Sequence, residues 1–216
     1  MINLFLVLFG LTMLYMAATS RINAHIKMLS IQGLLLFFII SLAPEKSNFI
    51  NFLFLSIETI IVKAGAIPLF LNKVSRQSNL VRDNDPHIPN FYSMVIASLI
   101  LFGGFIIPNL HNYFPKNITV LYFGVSISTI LISLFFITTK RKLLTHVIGF
   151  AMLENGIFLL SLSVAKEMPI IVNMGVLLDV FIAVFILGLL IGNINTIFEK
   201  SDSCILCNLK DCEYND

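Results

Sequence analysis

Four ionisable residues lie inside long apolar stretches of this 216-residue chain: Glu58, Lys63, Glu154 and Asp179. An ionised side chain in hydrocarbon is expensive, so each needs a partner, a wet cavity or a neutral protonation state. Burial draws acids and bases alike toward neutrality, and so toward exchanging protons with one another. Counted from the ends of their apolar stretches, Glu58, Glu154 and Asp179 each lie about 15 Å from a membrane surface at the rise of an α-helix. Lys63 lies slightly nearer the cytoplasm. Three acids and one base at one depth, on different helices, read as a lateral proton or ion pathway. Glu58 and Lys63 are five apart, about 140° around an α-helix, so each is expected to reach a different neighbour. That arrangement favours a relay over a closed pair.

Polar neighbours support this row. Gln32, His146, Asn155 and Asn173 lie in or near the same stretches and read as interhelical hydrogen-bond partners. Pro68 lacks the N–H that would bond to the Ala64 carbonyl, so a kink is expected just past Lys63.

The elements that must position these residues are helices, because a lone strand leaves its backbone unsatisfied in lipid. Hydrophobic residues make up 57% of the chain and charged ones 12%, and the mean hydropathy is +0.93. Too little polar surface exists to cover a water-soluble core. Seven apolar stretches approach spanning length, roughly 2–19, 28–43, 49–72, 91–110, 118–138, 144–165 and 169–195. The expected fold is therefore all-α, a polytopic membrane protein of about seven transmembrane helices. Ten Lys and Arg fall after the odd-numbered spans (Arg21, Lys27, Lys73, Arg76, Arg82, Lys140, Arg141, Lys142, Lys200, Lys210). Only Lys46, Lys116 and Lys166 fall on the other side. This bias places the N-terminus outside and the C-terminus in the cytoplasm of a cell inner membrane. The first apolar run has no basic region ahead of it and is expected to stay as a span.

The long polar connection after Lys73 divides the chain. Residues 1–90 form a first three-helix unit, 91–138 two connecting helices, 139–198 a final helix pair and 199–216 a polar tail. Gln32 and Glu58 are 26 apart, and Glu154 and Asp179 are 25 apart, each pair following a short basic turn. This spacing hints at a duplicated unit of one orientation. Cys204, Cys207 and Cys212 of the tail lack a fourth ligand for zinc or an iron–sulfur cluster and read as reduced thiols. No phosphate loop, catalytic triad, zinc signature or haem-attachment motif is present, so neither a cofactor nor covalent catalysis is expected. A formal charge of +2 gives no reason to expect a nucleic-acid partner.

Residues 140–160, from Lys-Arg-Lys through Met-Leu-Glu-Asn-Gly to Leu160, resemble the basic turn and acidic helix of the K-type subunit of respiratory complex I. They also resemble the C subunit of Mrp sodium/proton antiporters. Residues 175–190 are similar to the next helix of that subunit, with Asp179 at its acidic position. In an ungapped alignment the K-type glutamate falls on Ala151, one turn before Glu154. Over residues 1 to about 197 the chain resembles component E of hydrogenase-4 and formate-hydrogenlyase complexes. The match rests on Lys63 and Pro68, the stretch 152–156, and the run Gly175, Asp179, Ala183. The resemblance implies a non-catalytic subunit of a complex-I-like, group 4 [NiFe]-hydrogenase-type complex. It would sit in the bilayer beside antiporter-like subunits and those that anchor quinone and electron transfer. There it would contribute to proton or sodium translocation coupled to electron transfer. A structural scaffold without conduction, or an Mrp-type antiporter subunit, is the alternative.

Overall fold

The computed structural model describes residues 2–42, 53, 55–77, 88–110 and 120–164. Asp179, Asn173 and the three cysteines lie outside them. Every described element is helical: α1 (Ile2–Ala18), α2 (Ile22–Leu42), a π-helical segment (Glu58–Ala66) running directly into α3 (Ile67–Gln77), α4 (Asn90–Leu110), α5 (Val120–Thr139) and α6 (Leu143–Val164). Four helical stretches are long and apolar enough to cross a membrane: Ile22–Leu42, Leu55–Arg76, Leu121–Thr139 and Leu143–Ser163.

Short connections set the topology. Residues 19–21 join α1 to α2, and residues 140–142 join α5 to α6. Turns this tight force neighbouring helices antiparallel. The two turns share one end of the bundle, because the His25 ring meets the Phe136 ring edge-on at 5.1 Å. Helix α2 is the hub, packing on α1, the π segment, α3 and α6. Helix α1 packs on α2, α4 and α5, and the broadest contact joins α5 to α6.

Small residues permit these approaches, as they do between helices in lipid, where no hydrophobic force drives association. At the α4–α5 crossing, a Cβ on Gly124 would lie 2.9 Å from the Gly104 carbonyl oxygen. On α6, Gly149 meets Ile137, and Gly156 one heptad later meets Thr129 and Ile130. Helix α5 is rich in hydroxyls, and these turn back on their own backbone. Ser128 donates to Gly124 O (2.8 Å), Thr129 to Val125 O (2.7 Å) and Ser133 to Thr129 O (2.6 Å). Hydroxyls satisfied this way carry no unpaired donor into an apolar setting.

The buried charge cluster between α2, the π segment and α6

Pro68 begins the local logic of the site. Its missing N–H leaves the Ala64 carbonyl without an α-helical partner, and its ring would crowd that carbonyl. The chain widens into the π segment instead, with the Ile67 N–H bonded to Val62 O. Ser30 of α2 then donates its hydroxyl to Ala64 O at 2.6 Å. Such an approach needs Gly33 on α2, where a Cβ would stand 2.6 Å from the Ala64 nitrogen. Where the sequence predicts a kink, the structure has a nine-residue π-helix spanning both charged residues. Segments of this kind are frequent at functional sites.

The wider turn alters the relation between Glu58 and Lys63. In i→i+5 geometry, residues five apart stand about one turn above each other. Both side chains are buried, 4% and 3% exposed, and the Glu58 carboxyl feels the charges of Lys63 and Glu154. Lys63 reaches across to α6, where its Nζ lies 2.9 Å from Glu154 Oε1 and 4.3 Å from the Phe158 ring centre. Lys63 therefore takes a neighbour on another helix, in a closed ion pair, although the 140° separation that predicts separate neighbours does not hold in π geometry. Neither Lys63 Nζ nor Glu154 Oε1 has a hydrogen-bond partner among the described residues. A seam lined by Leu29, Lys63, Ile67, Ala151, Glu154 and Asn155 adjoins the pair and is too narrow for a water molecule.

A polar chain runs from the seam toward α1. Asn155 Nδ2 lies 3.4 Å from Gln32 Oε1, and Gln32 Nε2 donates to Thr12 Oγ1 at 2.9 Å. Thr12 in turn donates to Phe9 O at 2.6 Å. Gln32 and Asn155 therefore join the charge cluster to a third helix. His146 lies apart, two turns before Glu154, with Nδ1 2.8 Å from Lys142 O in the first turn of α6. The structure thus brings Lys63, Glu154 and Asn155 to one seam, joins Gln32 to it through Asn155, and sets Glu58 within electrostatic range.

Three residues beyond the sequence reading belong to this region: Ser30, Thr12 and His25. The wholly buried His25 presents Nε2 to the carbonyls of Met16 (3.0 Å) and Thr19 (3.1 Å). It stands four and seven residues before Leu29 and Gln32, on one face of α2. That periodicity is visible in the sequence; Ser30's match to the Ala64 carbonyl is not.

No protein-family model matches the chain, and no solved structure does. It is similar to Rv0085, an uncharacterized protein of Mycobacterium tuberculosis, at 27% identity over 191 residues. The match covers 88% of this chain and 87% of the other. A match of that extent leaves too few residues outside it to exclude any from Gln32 to Asp179.

Proposed function

We propose that this chain is a non-catalytic membrane subunit of a complex-I-like, group 4 [NiFe]-hydrogenase-type redox complex. Glu58, Lys63, Glu154 and Asp179 contribute to its proton or sodium translocation. The observation that carries this reading is the buried Lys63–Glu154 pair, in which neither Lys63 Nζ nor Glu154 Oε1 has another hydrogen-bond partner among the described residues. Attraction within such a pair offsets the desolvation of two charges only when other hydrogen bonds complete the site. Among the described residues nothing else bonds Lys63 Nζ or Glu154 Oε1, which makes the pair a poor structural fastener. It is well suited to moving a proton between an ionised and a neutral state. Glu58 supplies a second acid within electrostatic range, and the resemblance to component E supplies the setting. Seven spans, with the basic turns in the cytoplasm, complete the arrangement.

The closed geometry of the pair favours one second reading, a scaffold that locks helices and conducts nothing. Purification through an affinity tag on this chain, followed by mass spectrometry, tests the setting. Antiporter-like and electron-transfer subunits are expected to co-purify. Recovery of the chain without them would sink the proposal. Ion movement in membrane vesicles carrying Glu154→Gln separates conduction from scaffolding, since the scaffold reading expects normal movement wherever the complex assembles.

A further inference from the structure

We propose that His25 exchanges protons between the α1–α2 turn and the Lys63–Glu154 pair, an inference that rests on reading that pair as an ion-translocating site. Carbonyl oxygens only accept, so the contacts of His25 Nε2 with Met16 O and Thr19 O require a hydrogen on Nε2. In the neutral ring, Nδ1 is then a bare lone pair. It has no hydrogen-bond partner among the described residues, although the side chain is wholly buried. Buried polar atoms are almost always paired, and a bare imidazole nitrogen can take up a proton, which burial then disposes it to give back.

Its position gives that acceptor a use. His25 lies one turn inside the exposed Arg21 of the connecting turn. Leu29, the next residue on the same face, lines the seam beside Lys63 and Glu154. The helical rise puts the two levels only about 6 Å apart. Lys140 is the charged group that faces His25, buried with its Nζ 5.5 Å from the centre of the Phe136 ring, which also meets His25. A proton on His25 meets this like charge and is passed on rather than stored.

Each step conserves its atoms. Nδ1 accepts a hydrated proton that reaches it from the turn, leaving water behind, while the hydrogen on Nε2 stays donated to the Met16 and Thr19 carbonyls. When Leu29 swings aside and water enters the seam, Nδ1 returns the proton through that water to the Glu154 carboxylate, which releases Lys63. The ring ends as it began, and no electron moves. With Leu29 in place the seam has no room for a water molecule, and the proposed route is shut.

His25 also closes the end of α1 by bonding the Met16 carbonyl and that of Thr19 in the turn, and the test separates the two roles. A glutamine keeps an N–H for the carbonyls but cannot cycle a proton. The full chain in lipid nanodiscs is given a pH jump, and the infrared carboxyl band that disappears in Glu154→Gln is followed. His25→Gln is expected to slow its equilibration about a hundredfold with the final amplitude unchanged. Leu29→Ala, which leaves the cap intact, is expected to speed it by the same general acid–base route. A wild-type rate in either variant overturns the role of His25, even where Glu154→Gln abolishes ion movement. Absence of any Glu154-dependent band in the unmodified chain overturns the reading of the pair itself.

Discussion

At the scale of single residues, the Lys63–Glu154 pair separates conduction from packing. Replacing Glu154 alone by Ala strands the Lys63 ammonium among Leu29, Ile67 and Phe158. Breaking a buried pair in this way costs about 3–5 kcal/mol. Replacing both partners by apolar residues of similar volume is often neutral. The variant Glu154→Ala is therefore expected to lower the thermal unfolding midpoint in detergent, and the double variant Lys63→Met with Glu154→Leu to restore it. If the double variant assembles and is stable but no longer supports ion movement in vesicles, the pair conducts. Normal movement would assign it to the scaffold. The depth argument finds Glu58, Lys63 and Glu154 from sequence because charge in an apolar run is conspicuous and helical rise is fixed. It does not find the closed pair, since nothing in the sequence says that α6 packs Glu154 against Lys63. His25 escapes for a different reason. It stands at the edge of an apolar stretch beside Arg21 and Lys27, where a histidine reads as part of a wet turn.

Among the elements, the π segment is where sequence and structure diverge most, and Pro68 explains the divergence. A proline marks the break in hydrogen bonding, but whether the helix bends or widens depends on what accepts the strain. Here Ser30 bonds the orphan carbonyl and Gly33 admits the wider backbone, and both come from α2. Neither is legible without knowing that α2 packs on this segment. Pro68→Ala restores an N–H for Ala64 O, competes with the Ser30 hydroxyl and removes the reason for the wide turn. The segment is then expected to rewind as an α-helix and turn Lys63 away from Glu154. A double-mutant cycle of Lys63→Met and Glu154→Leu checks this by stability. Coupling should be clear in the unmodified chain and near zero on the Pro68→Ala background, and equal coupling in both would refute it. Gly33→Ala tests the approach from the other side. Its Cβ meets Ala64 and Lys63 backbone atoms at 2.6–2.9 Å, which cannot swing away as a side chain would. A loss of about 1–3 kcal/mol is expected, read as a lowered thermal midpoint.

For the whole molecule, the positions of the two short turns carry the argument furthest. Counting apolar stretches places residues 19–27 and 140–142 on one side of the membrane, and the His25–Phe136 contact puts those turns at one end of the bundle. Helical architecture is legible in the sequence because composition leaves a chain in lipid little choice. The packing order is less so, since α1 and α2 look equally apolar, and only Gln32, Ser30 and Gly33 mark α2 as the hub. The bundle end bearing Arg21, Lys27, Lys140, Arg141 and Lys142 belongs in the cytoplasm if the positive-inside bias governs. This places Asn3, at the far end of α1, outside. With Cys204, Cys207 and Cys212 changed to Ser, single cysteines at the exposed positions Arg21 and Arg141 should react with a membrane-impermeant maleimide only in inverted vesicles. A cysteine replacing the exposed Asn3 should react only in intact cells. Because the two turns share an end, Arg21 and Arg141 must label alike; opposite labelling would break the packing of α1 and α2 on α5 and α6. Matching labels from the outside would keep that packing and reverse the orientation. His25 would then take its protons from the outer side of the membrane.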